Sequence, residues 1–398
     1  MKKAPTPEIL ATRLLQDVVV RASLEKKLLE GKKLRVKLGM DPTAPDLHLG
    51  HAVALRLLKR FQDAGHTIIF IIGDYTARIG DPSGKSKTRP QLDPAAIDAN
   101  AKTYFKQVGK VLDVSRAEIH YNSEWLSKLG FEDLIKLAGQ FTVARILERD
   151  DFAKRLKTNT EISCHELLYP MMQAQDSVAI EADVEVGGTD QTFNMLAGRE
   201  LQKKLGLPEQ DVITVPLLVG LDGEQKMSKS LNNYIGLAES AEDMYGKLMS
   251  IPDRLLPQYF ALCTNMTDAE VENIGRVLLA DDVNPRDLKM QLAKTVTALY
   301  HDEKVAEGAE QHFVKVFQRK EIPEDVPVIH VKKETLLASD LLVATGLAVS
   351  KTEARRLIEQ KGMKVDGVVI TDPNMSLAIG KNGVLIQKGK RHFVRAMK

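Results

Sequence analysis

The first half of the chain alternates short apolar segments with longer amphipathic ones. Residues 67–72 are apolar and largely β-branched, as expected of a strand buried on both faces, and residues 50–64 carry a helical apolar face. The same alternation predicts further strands at 34–40, 118–121, 184–186 and 212–219, and helices at 94–109, 131–156, 164–182 and 190–205. Strands alternating with helices indicate an α/β fold with a parallel sheet. Ligands of such sheets bind at the carboxyl ends of the strands.

The rest of the chain changes character twice. Helical periodicity dominates from about 238 to 321, and a linker with prolines at 323 and 327 follows. The last 65 or so residues combine two short helices, near 336–347 and 350–361, with strands near 363–370, 383–387 and 391–395. We predict a parallel α/β domain at 1–235, an α-helical domain at 236–325 and a small α+β domain at 335–398. A length of 398 residues fits two or three domains.

Composition excludes several classes of protein. With 43% hydrophobic and 28% charged residues, the chain is neither disordered nor fibrous. Its only cysteines, Cys164 and Cys263, exclude a disulfide scaffold and a four-cysteine zinc site, so no structural zinc is expected. The longest strongly apolar run, 68–72, is far shorter than the roughly 20 residues of a membrane span, and the N-terminus has no apolar signal region. We expect a soluble, cytoplasmic protein without a membrane partner.

Charge is distributed unevenly along the chain. The net charge is +2, but the last 67 residues carry 13 Lys and Arg against 6 Asp and Glu, whereas the rest carries 43 against 48. A basic module on a mildly acidic body indicates a polyanionic partner for the C-terminus. A charged surface that serves only solubility is the alternative.

Two loops that follow predicted strands carry residues suited to a polyphosphate. Residues 39–51, GMDPTAPDLHLGH, place His48 and His51 at the start of a helix, where free N–H groups attract anions. Residues 223–230, GEQKMSKS, place Lys226 and Lys229 three apart, so that both ammonium groups can reach one polyphosphate. Either loop alone is commonly ordinary surface. Together, in this order and about 175 residues apart, they resemble the two hallmark motifs of class I aminoacyl-tRNA synthetases.

A third loop invites comparison with the phosphate loop of nucleotidases. In residues 73–89, however, Gly80 and Gly84 are one residue too close for Gly-x4-Gly-Lys-Ser, which disfavours a Walker-type site. What remains is a basic segment, with Lys85 and Arg89, anchored by Asp81.

Hydrogen-bonding residues occupy one face of the predicted helix at 164–182. Tyr169, Gln173 and Asp176 lie at i, i+4 and i+7, about 10 Å from end to end at ~1.5 Å per residue, which suits a tyrosine-sized ligand. The next strand ends in residues 187–191, GGTDQ, where two glycines permit close approach of a ligand. A polar helix surface is the alternative. Beside the two nucleotide motifs, this pattern resembles the bacterial tyrosyl-tRNA synthetase family.

The resemblance implies a Rossmann-like catalytic domain and a two-step reaction. L-tyrosine reacts with ATP to give tyrosyl-adenylate and pyrophosphate, and the tyrosyl group then passes to the 3′-terminal ribose of tRNA(Tyr). Tyr169, Gln173 and Asp81 would hold the α-ammonium group and Asp176 would accept from the phenol hydroxyl. The implied tyrosine pocket comprises Lys37, Thr76, Asp81, Asn122, Tyr169, Gln173, Asp176 and Gln191.

The same resemblance implies the residues that bind and activate ATP. Thr43 and His48 would meet the polyphosphate and Asp190 the ribose. The ATP-binding set is Gly39, Asp41, Gly50, Gly188, Asp190, Met227 and Ser228, and the catalytic set is Thr43, His48, His51, Lys85, Arg89, Lys226 and Lys229. Mg²⁺ should accompany ATP as part of the substrate, and no prosthetic group is expected.

Two positions depart from many bacterial members of the family. Where those have a tyrosine and then a cysteine just after the first strand, this chain has Lys37 and Leu38. Because Asp176 is retained, the difference implies a second bacterial subfamily with the same specificity. It leaves the second partner of the substrate hydroxyl open, with Lys37 as the candidate, either directly or through water.

The C-terminal module is similar to the ribosomal protein S4-like RNA-binding domain. Residues 350–358 start a helix with a capping box from Ser350 to Glu353. The resemblance implies phosphate contacts, salt-sensitive and largely shape-based, from Lys351, Arg355, Arg356, Lys364, Lys390 and Arg391. It also implies that the helical domain contacts the anticodon side of tRNA and that the enzyme is a homodimer. A basic module that binds no RNA is the alternative.

Three other functions fit the sequence less well. The tryptophanyl enzyme has a similar architecture, but an indole pocket has no need of Asp176 beside Tyr169 and Gln173. A regulatory RNA-binding protein on an inactive synthetase scaffold would not need the intact histidine and lysine motifs. An RNA-modifying enzyme with the same tail would need a different catalytic domain.

Overall fold

The computed structural model of the protein describes residues 8–81, 93–280, 283–318, 326–331, 333–380, 383–389 and 392–398. The chain divides into two compact units, residues 1–239 with 250–292 and residues 240–249 with 293–398. The division into three domains stays a prediction beside this division into two units. Across the described ranges, no helix has the length and apolarity needed to cross a membrane.

The secondary structure of these ranges mixes strands and helices throughout. The strands are β1 (Asp17–Val19), β2 (Arg35–Met40), β3 (Thr67–Ile72), β4 (Ala117–Tyr121), β5 (Val184–Gly188), β6 (Asp211–Val215), β7 (Val328–His330), β8 (Thr335–Leu337), β9 (Met363–Val365), β10 (Val368–Ile370), β11 (Ser376–Ala378), β12 (Val384–Lys388) and β13 (His392–Met397). The α-helices are α1 (Arg21–Leu29), α2 (Leu49–Asp63), α3 (Pro94–Val108), α4 (Ser123–Leu126), α5 (Phe131–Ala138), α6 (Val143–Leu147), α7 (Asp150–Lys157), α8 (Tyr169–Ala179), α9 (Thr192–Lys204), α10 (Ala241–Leu248), α11 (Leu256–Cys263), α12 (Asp268–Leu279), α13 (Pro285–Tyr300), α14 (Glu303–Phe313), α15 (Ala338–Ala344) and α16 (Lys351–Glu359).

The first unit is built on a sheet that, within the described residues, has six strands in the order β1-β6-β5-β2-β3-β4. All neighbours are parallel except β1, which runs antiparallel to β6. The predicted parallel α/β sheet is therefore confirmed. Ile68 through Ile72 are buried, as their apolar, β-branched sequence requires of a central strand.

The winding of this sheet reverses between β2 and β5. From β2 the chain moves outward through β3 and β4, and then returns to the other side of β2 to form β5 and β6. The register places Lys37 of β2 directly opposite Glu185 of β5. Open α/β sheets bind ligands in the crevice outside the carboxyl ends of the strands at such a reversal.

Several elements differ from the sequence-based expectation because proline interrupts them. The helix predicted at 164–182 is a 3₁₀ helix over Cys164–Leu168, and α8 begins at Tyr169 with Pro170 in its first turn. Proline is favoured there because the first-turn N–H groups have no intrahelical acceptor. The strand predicted at 212–219 ends at Val215, directly before Pro216.

Other elements differ because they are too short to show a periodic pattern or because a turn interrupts them. The strand β1 has three residues and pairs with residues 212–214, almost 200 positions away. The helix predicted at 131–156 is divided into α5, α6 and α7, and Thr142 caps α6 by accepting from the Arg145 N–H. The helix predicted at 190–205 begins two residues later, after a 3₁₀ turn at Thr189–Gln191.

The C-terminal part of the second unit is an α+β module, as predicted. Its described strands form a five-stranded sheet, β10-β9-β12-β13-β7, and a pair, β11-β8. The strand predicted at 363–370 is in fact a hairpin, because Asp366 and Gly367 both have positive φ (47° and 84°) and form its two-residue turn. The core of the C-terminal module is an apolar cluster that includes Leu341, Ile358 and Ile386, all fully buried.

Candidate active site

A cavity of about 280 Å³ opens at the carboxyl ends of β2, β3, β5 and β6. Its walls include Asp41 after β2, Gly73 after β3, Gly188 at the end of β5 and Pro216 after β6. The first turn of α2 and one face of α8 complete it. The cavity therefore lies where the winding of the sheet reverses, as expected for a ligand site in this topology.

Most residues predicted for the tyrosine and ATP sites line this cavity. They are Lys37, Gly39, Asp41, Thr43, His48, Gly50, His51, Thr76, Asp81, Tyr169, Gln173, Asp176, Gly188, Asp190, Gln191, Lys226, Met227 and Ser228. Asn122 and Lys229 are not among the lining residues, but Asn122 donates to Asp176, and Lys229 is linked to Asp41 through Tyr104. Lys85 and Arg89 lie outside the described residues.

Asp176 is a buried carboxylate held by two donors. Trp125 Nε1 donates to its Oδ1 at 2.8 Å and Asn122 Nδ2 to its Oδ2 at 3.2 Å. Burial raises the pKa of Asp176 to about 6, although the charge of Lys37 and these two hydrogen bonds oppose the rise. A carboxylate offers about four acceptor positions, so this one can accept a further hydrogen bond from a ligand hydroxyl.

The opposite end of the α8 face is fixed by Asp41. The Tyr169 hydroxyl donates to Asp41 Oδ2 at 2.9 Å, and the Thr76 hydroxyl donates to Asp41 Oδ1 at 2.7 Å. A Cβ atom at Gly73 would overlap both Asp41 and Thr76, so the close approach of the two loops requires glycine. Asp41, predicted for the ATP site, thus also positions Tyr169 of the predicted tyrosine pocket.

Asp81 and Gln191 are brought together by a hydrogen bond from Gln191 Nε2 to Asp81 Oδ2 of 2.7 Å. The buried guanidinium of Arg149 lies 3.9 Å from Asp81 and is paired with Asp151 at 3.0 Å. Arg149 also donates to Asn194, whose amide donates to Gln191 Oε1. Asp81 is therefore held between an amide and a guanidinium at the edge of the cavity.

Lys37 is fully buried and lines the cavity. Its ammonium group forms an ion pair with Glu185 Oε1 at 2.9 Å and donates to the Gln173 carbonyl at 3.1 Å and to Ser177 Oγ at 2.8 Å. An ammonium group has three hydrogens, and protein atoms accept all three. This arrangement favours an indirect role over direct contact with the substrate hydroxyl.

His48 and His51 lie together at the start of α2, with ring centroids 3.8 Å apart. The His48 backbone N–H donates to His51 Nδ1 at 3.2 Å, so the proton of the neutral His51 ring is on Nε2. Burial, then the charges of Lys229 and Lys226, lower the pKa of His48 to about 3. Burial and neighbouring charges also hold the pKa of His51 well below its ordinary value. At neutral pH both rings are therefore neutral, and can donate an N–H but supply no positive charge.

The loop of residues 223–230, which carries Lys226 and Lys229, supplies the positive charge. Lys226 forms an ion pair with Asp190, the residue predicted to bind the ribose. Lys229 Nζ lies 3.2 Å from the phenol oxygen of Tyr104 and 3.3 Å from the Ala44 carbonyl. The Tyr104 hydroxyl in turn donates to the Asp41 carbonyl at 3.2 Å, which connects Lys229 to the border of the cavity. ATP would have to replace these partners in order to recruit either lysine.

The Asn233 side chain holds this loop together by hydrogen bonds to two of its residues and to Asp222 directly before it. Its Oδ1 accepts from the Ser228 N–H at 2.7 Å, and its Nδ2 donates to Asp222 at 2.6 Å and to the Lys226 carbonyl at 3.2 Å. Met227 is buried, 3.7 Å from where a Cβ of Gly50 would be. The two nucleotide motifs are therefore in contact at Gly50.

The predicted RNA-binding residues belong to the second unit. Lys351, Arg355 and Arg356 are exposed on α16, and Lys351 forms an ion pair with Asp340 at 2.7 Å. Lys364 on β9 is half-buried. Lys390 and Arg391 lie outside the described residues.

The part of the chain that the structure describes contains no cluster of three or more His, Cys, Asp or Glu side chains arranged to hold a metal ion.

Comparisons with known proteins agree with this geometry. Residues 29–318 match the family described as tRNA synthetases class I (W and Y), and residues 318–396 match the tyrosine–tRNA ligase SYY-like C-terminal domain. The curated tyrosine–tRNA ligase of Moorella thermoacetica is 51% identical over 94% of this chain and 91% of its own length. That of Thermotoga maritima is 51% identical over 96% of this chain and 95% of its own.

The chain belongs to the tyrosyl-tRNA synthetase family.

Solved structures extend the comparison. The tyrosyl-tRNA synthetase of Archaeoglobus fulgidus, crystallised with L-tyrosine, superposes with a TM-score of 0.60 at 25% identity over 75% of this chain and 97% of its own. A mitochondrial tyrosyl-tRNA synthetase from Aspergillus nidulans, truncated at its C-terminus, shares the fold with a TM-score of 0.63 at 23% identity, over 77% of this chain and 92% of its own.

Sequence reasoning missed four residues of this synthetase that the structure places at the site. Trp125 and Glu185 each bond a predicted pocket residue, Tyr104 bonds Lys229, and Arg149 lies beside Asp81. The acidic Glu185 within an apolar strand was a usable signal, because a charge there requires a buried partner. Trp125, Tyr104 and Arg149 gave no such signal, since each lies in a segment of ordinary composition, Trp125 and Tyr104 within helices and Arg149 directly before α7.

Tyrosine affinity should rise with pH up to about 6 and be constant above it. A phenol that donates to Asp176 favours the carboxylate, so binding lowers the pKa of Asp176 from about 6 and releases a proton. Calorimetric binding of tyrosine between about pH 5 and pH 8, where free tyrosine does not titrate, measures this. In Asp176→Asn the weaker binding that remains should be independent of pH. Wild-type binding that is equally strong at both ends of the range would contradict the assignment.

Proposed function

We infer that the chain is a tyrosine–tRNA ligase, which activates L-tyrosine with ATP and transfers the tyrosyl group to tRNA(Tyr). The observation that carries this function is the cavity itself. It joins a buried carboxylate at one end, Asp176, to the histidine and lysine motifs of a nucleotide site. Family membership and the close agreement with curated tyrosine–tRNA ligases support the same conclusion.

The activation step requires positioning rather than a protein nucleophile. The tyrosine carboxylate attacks the α-phosphorus of ATP and forms a new P–O bond. The bond from that phosphorus to the pyrophosphate oxygen breaks, and pyrophosphate leaves with its electron pair. We assign the substrate hydroxyl to Asp176 and the α-ammonium group to Tyr169, Gln173 and Asp81. Fixing the two ends of tyrosine aims its carboxylate at ATP, and such positioning lowers the barrier by holding the reacting atoms in a productive geometry.

The leaving pyrophosphate gains negative charge as the reaction proceeds. The histidine motif and the lysine motif stabilise it in different ways. His48 and His51 are neutral, and we assign them to hydrogen bonds with the phosphates and nucleoside. Lys226 and Lys229 provide the charge. When the ribose hydroxyls occupy Asp190, Lys226 is free to exchange its carboxylate partner for a phosphate. ATP enters as its Mg²⁺ complex, so the metal belongs to the substrate.

ATP–pyrophosphate exchange without tRNA tests the function directly, with each of the twenty amino acids offered separately. We expect exchange with tyrosine alone. Phenylalanine would leave Asp176 without the hydroxyl that it accepts from, and an unmade buried hydrogen bond is costly. Exchange with tryptophan instead would keep the enzyme class and overturn the assigned pocket. Folded protein that exchanges with no amino acid would favour an RNA-binding protein on an inactive scaffold.

Lys229→Ala should lower the rate of adenylate formation about 100-fold or more and change tyrosine affinity less than about twofold, because Lys229 acts only on the charge of the transition state. Pre-steady-state formation of tyrosyl-adenylate measures the rate. Lys203→Ala, which removes an exposed lysine of α9, is the matched control and should behave as wild type. An unchanged rate in Lys229→Ala would remove this lysine from the mechanism.

We propose that α16 contacts the tRNA backbone. It exposes Lys351, Arg355 and Arg356 in a module that carries an excess of positive charge, and its N-terminus is capped by Ser350, which accepts from the Glu353 N–H. Phosphate contacts of this kind bind RNA in proportion to the counterions that they release.

The double variant Arg355→Ala with Arg356→Ala should weaken tRNA charging and leave ATP–pyrophosphate exchange unchanged. Each lost phosphate contact should reduce the slope of log affinity against log salt by roughly 1, so the variant should lose up to about 2. Filter binding of tRNA(Tyr) at several salt concentrations measures the slope. An unchanged slope would show that α16 does not touch the phosphates.

We further propose that the enzyme is a homodimer. Phe131 and Ile135 lie one turn apart on α5 and are 80% and 58% exposed, and Val143 on α6 is 61% exposed. Large apolar side chains left in water at neighbouring positions favour burial against another surface. The mass in light scattering checks this, and a single-chain mass at assay concentrations would contradict it. A cytoplasmic location stays a prediction.

A further inference from the structure

The buried carboxylate of Glu185 has no part in the activation step described above. It lies on β5 with 1% of its surface exposed, directly opposite Lys37 on β2. Four donors surround its two oxygens. Lys37 Nζ and Gln173 Nε2 approach Oε1 at 2.9 and 3.0 Å, and Ser177 Oγ and Gln210 Nε2 approach Oε2 at 3.1 and 2.6 Å.

The hydrogen-bonding groups of the Lys37–Glu185 pair are therefore all satisfied by protein atoms. All three ammonium hydrogens of Lys37 have acceptors, and the four donors around Glu185 account for its acceptor capacity. A buried ion pair that only balanced its own charges would contribute little to stability, since apolar residues of similar size often replace such pairs without loss. The geometry around Gln173 gives the pair a second role.

An ionised carboxylate can only accept hydrogen bonds. The group of the Gln173 amide that faces Glu185 at 3.0 Å must therefore be its NH₂, because the amide oxygen would be repelled. Gln173 also lines the cavity on the same face of α8 as Tyr169 and Asp176. With its nitrogen held by Glu185, the oxygen of this amide is the atom left to accept from a ligand.

We propose that Glu185 is a positioning residue for tyrosine: it fixes the orientation of the Gln173 amide, so that the amide oxygen accepts from the α-ammonium group. The proposal rests on the function inferred above, and adds a residue that acts through Gln173 without touching the substrate. Without the carboxylate, the amide could turn and present its NH₂ to a cation, which would convert an attractive contact into a repulsive one.

A pair of ligands isolates this effect. L-tyrosine and para-hydroxyphenylpropanoate share the phenol and the carboxylate, but only tyrosine has the ammonium group. Any change at the Asp176 end of the cavity affects both ligands and cancels in the ratio of their affinities. Measurement at about pH 8 keeps Asp176 ionised, since its pKa is about 6.

Two variants of the Lys37–Glu185 pair should affect the ratio of the two ligand affinities differently. Lys37→Met with Glu185→Met removes both charges together, leaves no unpaired buried ion and deprives the Gln173 NH₂ of its acceptor. It should weaken tyrosine binding about tenfold or more and change binding of the deaminated analogue less than about threefold. Glu185→Gln should keep the wild-type ratio within about threefold. Lys37 and the Gln173 NH₂ both face the position of Oε1, so the new amide turns its own oxygen towards them. Its NH₂ then faces Gln210, whose amide turns to present Oε1, an atom with no hydrogen-bond partner among the described residues.

Ser177→Ala is the matched control, because it removes a donor to the other oxygen of Glu185 and an acceptor of Lys37 but leaves the bond between Gln173 and Glu185 in place. It should keep the wild-type ratio. Equal losses for the two ligands in the double-methionine variant, or an unchanged ratio there, would overturn the proposal. So would a loss of selectivity in Glu185→Gln as large as that of the double variant, since the charge and not the acceptor would then matter. Wild-type protein that fails to bind tyrosine at all would instead refute the proposed function.

Discussion

The reversal of winding between β2 and β5 is the constraint on which the site depends. It separates the connections that leave these two neighbouring strands, so the crevice at their carboxyl ends stays open to a ligand. The same two strands carry the buried pair Lys37 and Glu185 in direct register, and both residues line the cavity. A charged pair in the middle of the sheet is tolerated because its hydrogens and lone pairs have partners, namely Gln173 and Ser177 on α8 and Gln210 directly before β6. The pair thereby ties the position of α8, and with it one wall of the pocket, to the centre of the sheet.

The cavity separates the donation of hydrogen bonds from the supply of charge. His48 is buried, His51 is half-buried, and their rings lie 3.8 Å apart and near two lysines, which keeps both rings neutral. A neutral ring at a helix start can orient a phosphate at every stage of the reaction. Positive charge is instead carried by a loop that Asn233 holds together, and whose lysines already have partners in Asp190 and Tyr104. Asp190 balances the charge of Lys226 until ATP displaces it, whereas the Tyr104 hydroxyl and the Ala44 carbonyl beside Lys229 are neutral, so Lys229 keeps its full charge for the polyphosphate.

The sequence predicted the parts of the structure that local patterns encode, and little of what depends on distant contacts. The central strands and α2 follow from apolar periodicity, and the motifs around His48 and Lys229 identified the cavity because loops after parallel strands meet at one edge. The strand β1 and the hydrogen bond from Trp125 to Asp176 could not be read in this way, since both join segments far apart in the chain. Lys37 was recognised as a pocket residue from family resemblance, but its partner Glu185 was not, because only the register of β2 against β5 brings the two together.

Selection for tyrosine follows from how the buried carboxylate of Asp176 is satisfied. Trp125 and Asn122 supply two donors, enough to hold the side chain in place and too few to saturate it, and burial still raises its pKa to about 6. A phenol hydroxyl completes the set, whereas a bare phenyl ring would shut water out and leave the carboxylate short of a donor. Tyrosyl-tRNA synthetases are the standard example of selection by such an unmade hydrogen bond. On this view Trp125 and Asn122 set the strength of selection as much as Asp176 does: a third protein donor would satisfy the carboxylate without substrate, and the preference for a hydroxyl would weaken.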